Sequence, residues 1–201
     1  SNDIGYIIHL FPAARKSIYI LFIFIMNNIR REIIMSISVT FKNRFKECVQ
    51  EYCAGHGDCG SVRLAEKMGI SYSVYSRILQ YGILPEPDVL VRIADFFDVS
   101  ADYLIGRTDD ERFAASGGNA TFAERLELMR AAKGVTYYRI AERTGINRNY
   151  FTEWKSGRVK PSLPYLVAVA NYFGASLDYL LGRTDDDTPP ETNADFDLGD
   201  E

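Results

Sequence analysis

The segment Ser176-Leu-Asp-Tyr-Leu-Leu-Gly-Arg-Thr-Asp-Asp186 nearly copies Ser100-Ala-Asp-Tyr-Leu-Ile-Gly-Arg-Thr-Asp-Asp110. The offset is 76 residues, and it holds without a gap from Gly69/Gly145 to Asp110/Asp186. Identical pairs in that window include Ile70/Ile146, Pro85/Pro161, Leu90/Leu166, Ala94/Ala170, Phe97/Phe173 and Tyr103/Tyr179. Similarity of this length at one fixed spacing means two copies of one small domain on a chain of 201 residues. Each copy has about 65 residues, small but sufficient to fold alone.

The repeat sets the domain boundaries. Residues 39–108 form a first unit and 121–184 a second. Between them, 109–120 is a linker in which Ser116-Gly-Gly-Asn119 makes a polar break. Residues 185–201 carry eight acidic and no basic side chains, with Pro189-Pro190, and read as an acidic disordered tail. Residues 1–38 form an apolar extension with three readings open. It lies upstream of a true start at Met35, with Ser1-Asn2 a cloning remnant; it is an arm that pairs with another subunit; or it anchors to a membrane. Its uncharged run of about ten residues is short of the ~20 that a spanning helix needs. No small-residue cleavage site follows it, so it does not read as a signal peptide.

The second unit reads as five short helices. Thr121-Phe-Ala-Glu124 is a capping box that opens the first, with Phe122, Leu126, Met129 and Val135 facing inward. Thr136 caps the second, which runs to about Thr144 and ends at Gly145, a residue suited to a left-handed turn. Asn147 caps the third, with Tyr150, Phe151 and Trp154 at the spacing of a core face rather than of a base-stacking platform. Ser162 opens the fourth and Ser176 the last, which Gly182 closes. No strand pattern appears in either unit, so the expected fold is all-α.

Two short helices joined by a tight glycine turn make the helix-turn-helix pattern. On Phe122-Ala-Glu-Arg-Leu126, Lys133-Gly134, Thr136 through Ala141, Gly145-Ile146, Trp154-Lys-Ser-Gly157, Pro161-Ser162 and Ser176 to Thr184, the second unit resembles the Cro and lambda-repressor-like (Xre) family of bacterial and phage regulators. The first unit resembles a diverged member of that family, on Leu64-Ala65 and Gly69 through Thr108. The resemblance implies two tandem five-helix helix-turn-helix domains. It also implies that the third helix enters the DNA major groove with its N-terminal side chains at base edges. By that implication Asn147, Arg148, Asn149, Thr152 and Glu153 are the base-reading candidates, Arg148 suiting guanine and Asn149 adenine. Tyr137, Lys155, Ser156, Arg158 and Lys160 are the phosphate candidates, which position the domain without specifying sequence.

Charge is placed to match. The chain's formal net charge is −4, yet residues 133–160 carry seven Lys/Arg against Glu142 and Glu153. The first unit holds eight basic and nine acidic residues, and Ser71, Tyr72 and Ser73 stand where the second has Asn147, Arg148 and Asn149. Attraction to phosphate scales with the cations presented, so this unit is expected to bind DNA weakly, with Ser71, Tyr72, Ser73 and Arg77 supplying a few contacts. Its Ile78, Leu79, Tyr81, Ile83 and Leu84 suit an assembly or partner interface. Arg107 and Arg183 each follow a helix-ending glycine, where a cation suits the helix C-terminus. That is a structural role.

Cys48, Cys53, His56 and Cys59 offer four soft ligands within twelve residues, a possible zinc set. Their spacing is not that of paired C-x-x-C motifs, and Cys48 aligns with the core position Met129, so the favoured reading is a plain loop with reduced thiols in a cytoplasm. No cofactor is expected. No phosphate loop, standard metal motif or nucleophile–base pair is visible, which argues against an enzyme. The expected function is a sequence-specific, DNA-binding transcriptional regulator, a repressor, acting on double-stranded DNA as a homodimer without a membrane. Two chains would each supply a second unit, or one chain would cover two half-sites; the charge contrast favours the former. The competing reading is an interaction module, such as an antitoxin or anti-regulator, that keeps the fold without DNA readout.

Overall fold

The computed structural model describes residues 12–57, 59–112, 114–116, 120–188 and 190–191, with side chains described from residue 31 onward apart from residue 33. The apolar run Ser17 to Asn27, the break at 117–119 and the tail beyond 191 therefore lie, in side chain or entirely, outside the described residues. The chain divides into Ser1–Ile37 and Ser38–Glu201. The described residues are helical, without strands, as the periodicity required. Helix α1 (Pro12–Gly55) begins in the first part and ends in the second, so residues 38 and 39, where the repeat placed a boundary, lie within one helix. No described helix is long and apolar enough to cross a membrane.

Ser38–Glu201 holds both repeats. The first comprises the end of α1, then α2 (Ser61–Lys67), α3 (Tyr72–Tyr81), α4 (Pro87–Phe97) and α5 (Ala101–Ile105). Phe41, Phe45 and Cys48 recur at three- and four-residue spacing on α1 and are buried, beside Leu64, Tyr75, Ile78, Leu90 and Ile93. The Phe45 ring meets Tyr75 and Phe97 edge-on at 5.6 and 6.1 Å. Close approach demands a glycine at 106: φ is 87°, and a Cβ there would lie 2.5 Å from Thr40 Cγ2.

The second repeat comprises α6 (Phe122–Ala132), α7 (Tyr137–Thr144), α8 (Arg148–Lys155), α9 (Leu163–Phe173) and α10 (Leu177–Leu180). The local signals act as read. Thr121 and Glu124 form the capping box, and Thr136, Asn147 and Ser176 accept backbone N–H groups at their helix starts. Gly145 ends α7 at φ 65°, in the left-handed region. Leu126, Ile140, Phe151, Trp154, Leu166 and Val169 are buried, while Phe122, Met129 and Val135 are half-buried.

Three expectations change. Ile78 is 1 % exposed, a core residue of its own domain, so only Tyr81 and Ile83 of the proposed apolar interface are exposed. Arg107 and Arg183 do more than suit a helix end: both are buried and pair with Asp102 and Asp178, where α5 and α10 meet. The cysteines do not assemble a zinc site. Cys53 and Cys59 are bonded to each other, which removes both thiolates, contrary to the reduced thiols expected. Cys48 is free and buried in the core, and His56 stacks on Tyr52 at 4.1 Å. Burial, with Glu51, Glu111 and Glu47 adding to it, pushes the Cys48 thiol up to about 11.

Candidate nucleic-acid interface

The sequence-predicted reading surface is built on α8. Asn147 takes an extended conformation before the helix and its Oδ1 accepts the Asn149 N–H at 3.0 Å. The cap uses one lone pair of that oxygen and fixes the side chain's orientation, and the amide N–H donors stay available for a base edge. Arg148, Asn149 and Thr152 follow on the exposed side of the first turns. Glu153 is half-buried, and its carbonyl accepts the Ser156 hydroxyl at 2.8 Å.

The other face of α8 is clamped. The Trp154 ring meets Phe151, Phe122 and Tyr165 with centroids 5.1, 5.6 and 5.7 Å away, and Tyr150 bridges Trp154 and Tyr165. These aromatic contacts fix the rotation of the helix about its axis, so residues 148, 149 and 152 point outward by packing rather than by chance. The arrangement has a cost: the buried Trp154 indole N–H meets no acceptor.

The phosphate candidates separate. Lys155 and Arg158 are exposed at the end of α8. Tyr137 is not available as expected. Its hydroxyl donates to Glu127 Oε2 at 2.7 Å, its ring stacks on Phe151 at 5.2 Å, and the Arg130 guanidinium lies over the ring at 5.3 Å. A phenol has one proton to donate, and the carboxylate takes it. Arg130 and this phenol together hold the Glu127 carboxyl down at about 2, while burial, then Glu127, pushes Tyr137 up to about 12. Lys160 Nζ lies 2.5 Å from Asp88 of α4; both side chains are well exposed, so the pair is weak and phosphate can compete for the amine.

In the first domain the corresponding start of α3 carries a different surface. Ser71 caps α3 by accepting the Val74 N–H at 3.3 Å, and Ser71, Tyr72, Ser73 and Arg77 are exposed. Hydroxyls and one guanidinium replace the Asn-Arg-Asn run. Among the described residues no group of three or more His, Cys, Asp or Glu is placed to hold a metal ion.

Comparisons with known proteins agree with the helix-turn-helix fold. A helix-turn-helix domain model matches residues 123–185, and a second helix-turn-helix model matches 62–104. The chain is 35 % identical over 68 residues to the uncharacterised HTH-type transcriptional regulator YobD of Bacillus subtilis, covering 34 % of this chain and 61 % of that protein. It is 36 % identical over 63 residues to the prophage-derived HTH-type regulator YonR of the same organism, covering 31 % and 58 %. It is 30 % identical over 71 residues to the HTH-type transcriptional activator BcrR of Enterococcus faecalis, covering 35 % of each chain. The matches thus span between about a third and three fifths of those relatives' lengths. No solved structure matches. Two helix-turn-helix elements thus match in tandem on a frame that is helical throughout its described residues, which supports the resemblance to Xre-like helix-turn-helix proteins.

Proposed function

We propose that this protein is a sequence-specific DNA-binding transcriptional regulator, acting in the cytoplasm where its operator lies, and that α8 is its reading helix. The observation that carries the proposal is the exposed row Arg148, Asn149 and Thr152 on a helix locked from behind by Phe151 and Trp154. Arg148 offers two parallel donors to guanine O6 and N7, and Asn149 a donor and an acceptor to adenine. Each such pair discriminates by about 1–3 kcal/mol. Lys155, Arg158 and Lys160 serve the flanking phosphates. The names of the relatives, regulators and one activator, support the regulatory role. We take repression as the outcome where the operator overlaps a promoter, since a bound helical domain excludes polymerase from the same groove.

The test is selection of bound duplexes from a random pool, followed by two variants. Arg148→Ala flattens the preference at one base position. Lys155→Ala weakens all duplexes alike and lowers the salt slope by about one. A parent protein equally indifferent to selected and scrambled duplexes refutes the readout.

A further inference from the structure

The two helix-turn-helix domains of one chain meet through α5 and α10, and the contact is reciprocal. Asp102 accepts the Leu177 backbone N–H at 2.6 Å, and Asp178 accepts the Ala101 N–H at 3.0 Å. Ala101 and Leu177 are counterparts at the 76-residue offset, and so are Asp102 and Asp178. Each aspartate therefore satisfies the first free donor of the other domain's closing helix, where the backbone favours a carboxylate. Arg107 and Arg183, also counterparts, each pair with the aspartate of their own domain. All four charged side chains are buried. An exchange in which one residue meets a second, and the second's counterpart meets the first's, is how two identical subunits pair about a two-fold axis. Here the pairing is completed inside one polypeptide.

Two differences between the halves tell against a second copy taking this place. Arg183 Nε also donates to Asp95 at 2.8 Å, whereas the counterpart of Asp95 is Asn171. Two second domains docked through α10 would set that guanidinium against a neutral amide. A tethered partner also competes at millimolar effective concentration, far above a free chain. The reading helices differ as well: α8 exposes Arg148 and Asn149, and α3 exposes Tyr72 and Ser73.

We infer that a single chain, in place of the homodimer expected from the sequence, is the complete DNA-binding unit, and that its operator is asymmetric. One half is read by α8; the adjoining half is gripped through α3 with little choice of base. The inference rests on the DNA-binding reading above and goes beyond it in stoichiometry and site symmetry.

The experiment uses the full chain and the duplex selected from a random pool. Native mass spectrometry gives the chains per duplex, footprinting gives the protected length, and base-by-base substitution gives where the information lies. The expected result is one chain per duplex, protection across two adjacent major-groove segments, and sequence preference concentrated in one of them. The Asp102→Asn/Asp178→Asn double variant should keep the same motif and lose at least about tenfold in affinity, because the second grip is uncoupled. If that variant does not fold, the stoichiometry of the unaltered chain decides. Two chains on a palindromic motif, or one chain protecting a single groove segment, overturns the inference while leaving DNA binding intact. Absence of binding to any duplex at low salt overturns the DNA-binding reading itself.

Discussion

Removing the Asp178 carboxylate tests the seam most directly. Asp178 is 2 % exposed, and it accepts from the Ser100 hydroxyl at 2.7 Å, the Ala101 N–H at 3.0 Å and the Arg183 guanidinium. Asp178→Ala leaves a guanidinium whose side chain is 4 % exposed, with Asp95 still beside it. Stripping one partner from a buried pair costs about 3–5 kcal/mol. Because Asp95 continues to compensate Arg183, the loss expected is near the lower end, about 3 kcal/mol. Asp95 itself is 56 % exposed, so Asp95→Ala should cost under about 1 kcal/mol. The assay is urea unfolding followed by two probes: fluorescence of Trp154, the only tryptophan, which reports the second domain, and far-ultraviolet circular dichroism, which reports the helices of both. The parent's two transitions should coincide, because the seam couples the domains. Asp178→Ala should lower the Trp154 midpoint and pull the two curves apart. An Asp178→Ala loss no larger than that of Asp95→Ala, with the probes still coincident, refutes the assignment of the seam as a buried, coupling contact.

Three further outcomes are expected. Asp98 ends α4 at φ 56°, where its counterpart Gly174 adopts φ 67°; Asp98→Gly should raise the unfolding free energy measured in urea by up to about 1 kcal/mol, and a lowered value would show that the aspartate side chain contributes there. Without reductant, a thiol reagent should find no accessible sulfhydryl in the folded chain and one after unfolding, Cys48, since Cys53 and Cys59 are bonded; three reactive thiols on unfolding would contradict this. Burial pushes the Asp102 carboxyl up to about 6, against the pull of Arg107. Between the unfolded value of 3.8 and about 6 the folded state holds a proton that the unfolded state has released, so this group's contribution to stability is present at the acid end and is lost as pH rises through that window. The parent minus Asp102→Asn difference in unfolding free energy should fall from pH 4 to 6.5; a flat difference counts against the shift.

Much of the second domain was legible in the sequence, because its signals are local. Thr121 with Glu124, Thr136, Asn147 and Ser176 cap helices by bonding backbone groups two or three residues away, and Gly145 supplies the turn by its own freedom at φ 65°. The inward face of α8 follows from the spacing of Phe151 and Trp154. The candidates at its start were implied by the resemblance to the Cro and lambda-repressor-like family, and the structure leaves Arg148, Asn149 and Thr152 outward. Tyr137 was misjudged because its partner, Glu127, lies ten residues back on another helix and no spacing rule connects them.

The sequence alone determined that there are two copies of one helical domain, where the helices of the second copy begin, and which copy carries the more cationic stretch, because repeat, cap and charge are properties of neighbours along the chain. Only the tertiary structure decided what the copies do with their closing helices. Asp102 meets Leu177 and Asp178 meets Ala101 across more than seventy residues. Position along the chain explains Arg107 and Arg183 adequately as helix-end cations; it takes the opposed aspartates and their burial to make them part of a seam. A buried carboxylate must be met by whatever donors the fold brings to it, and that meeting is set in space rather than in sequence.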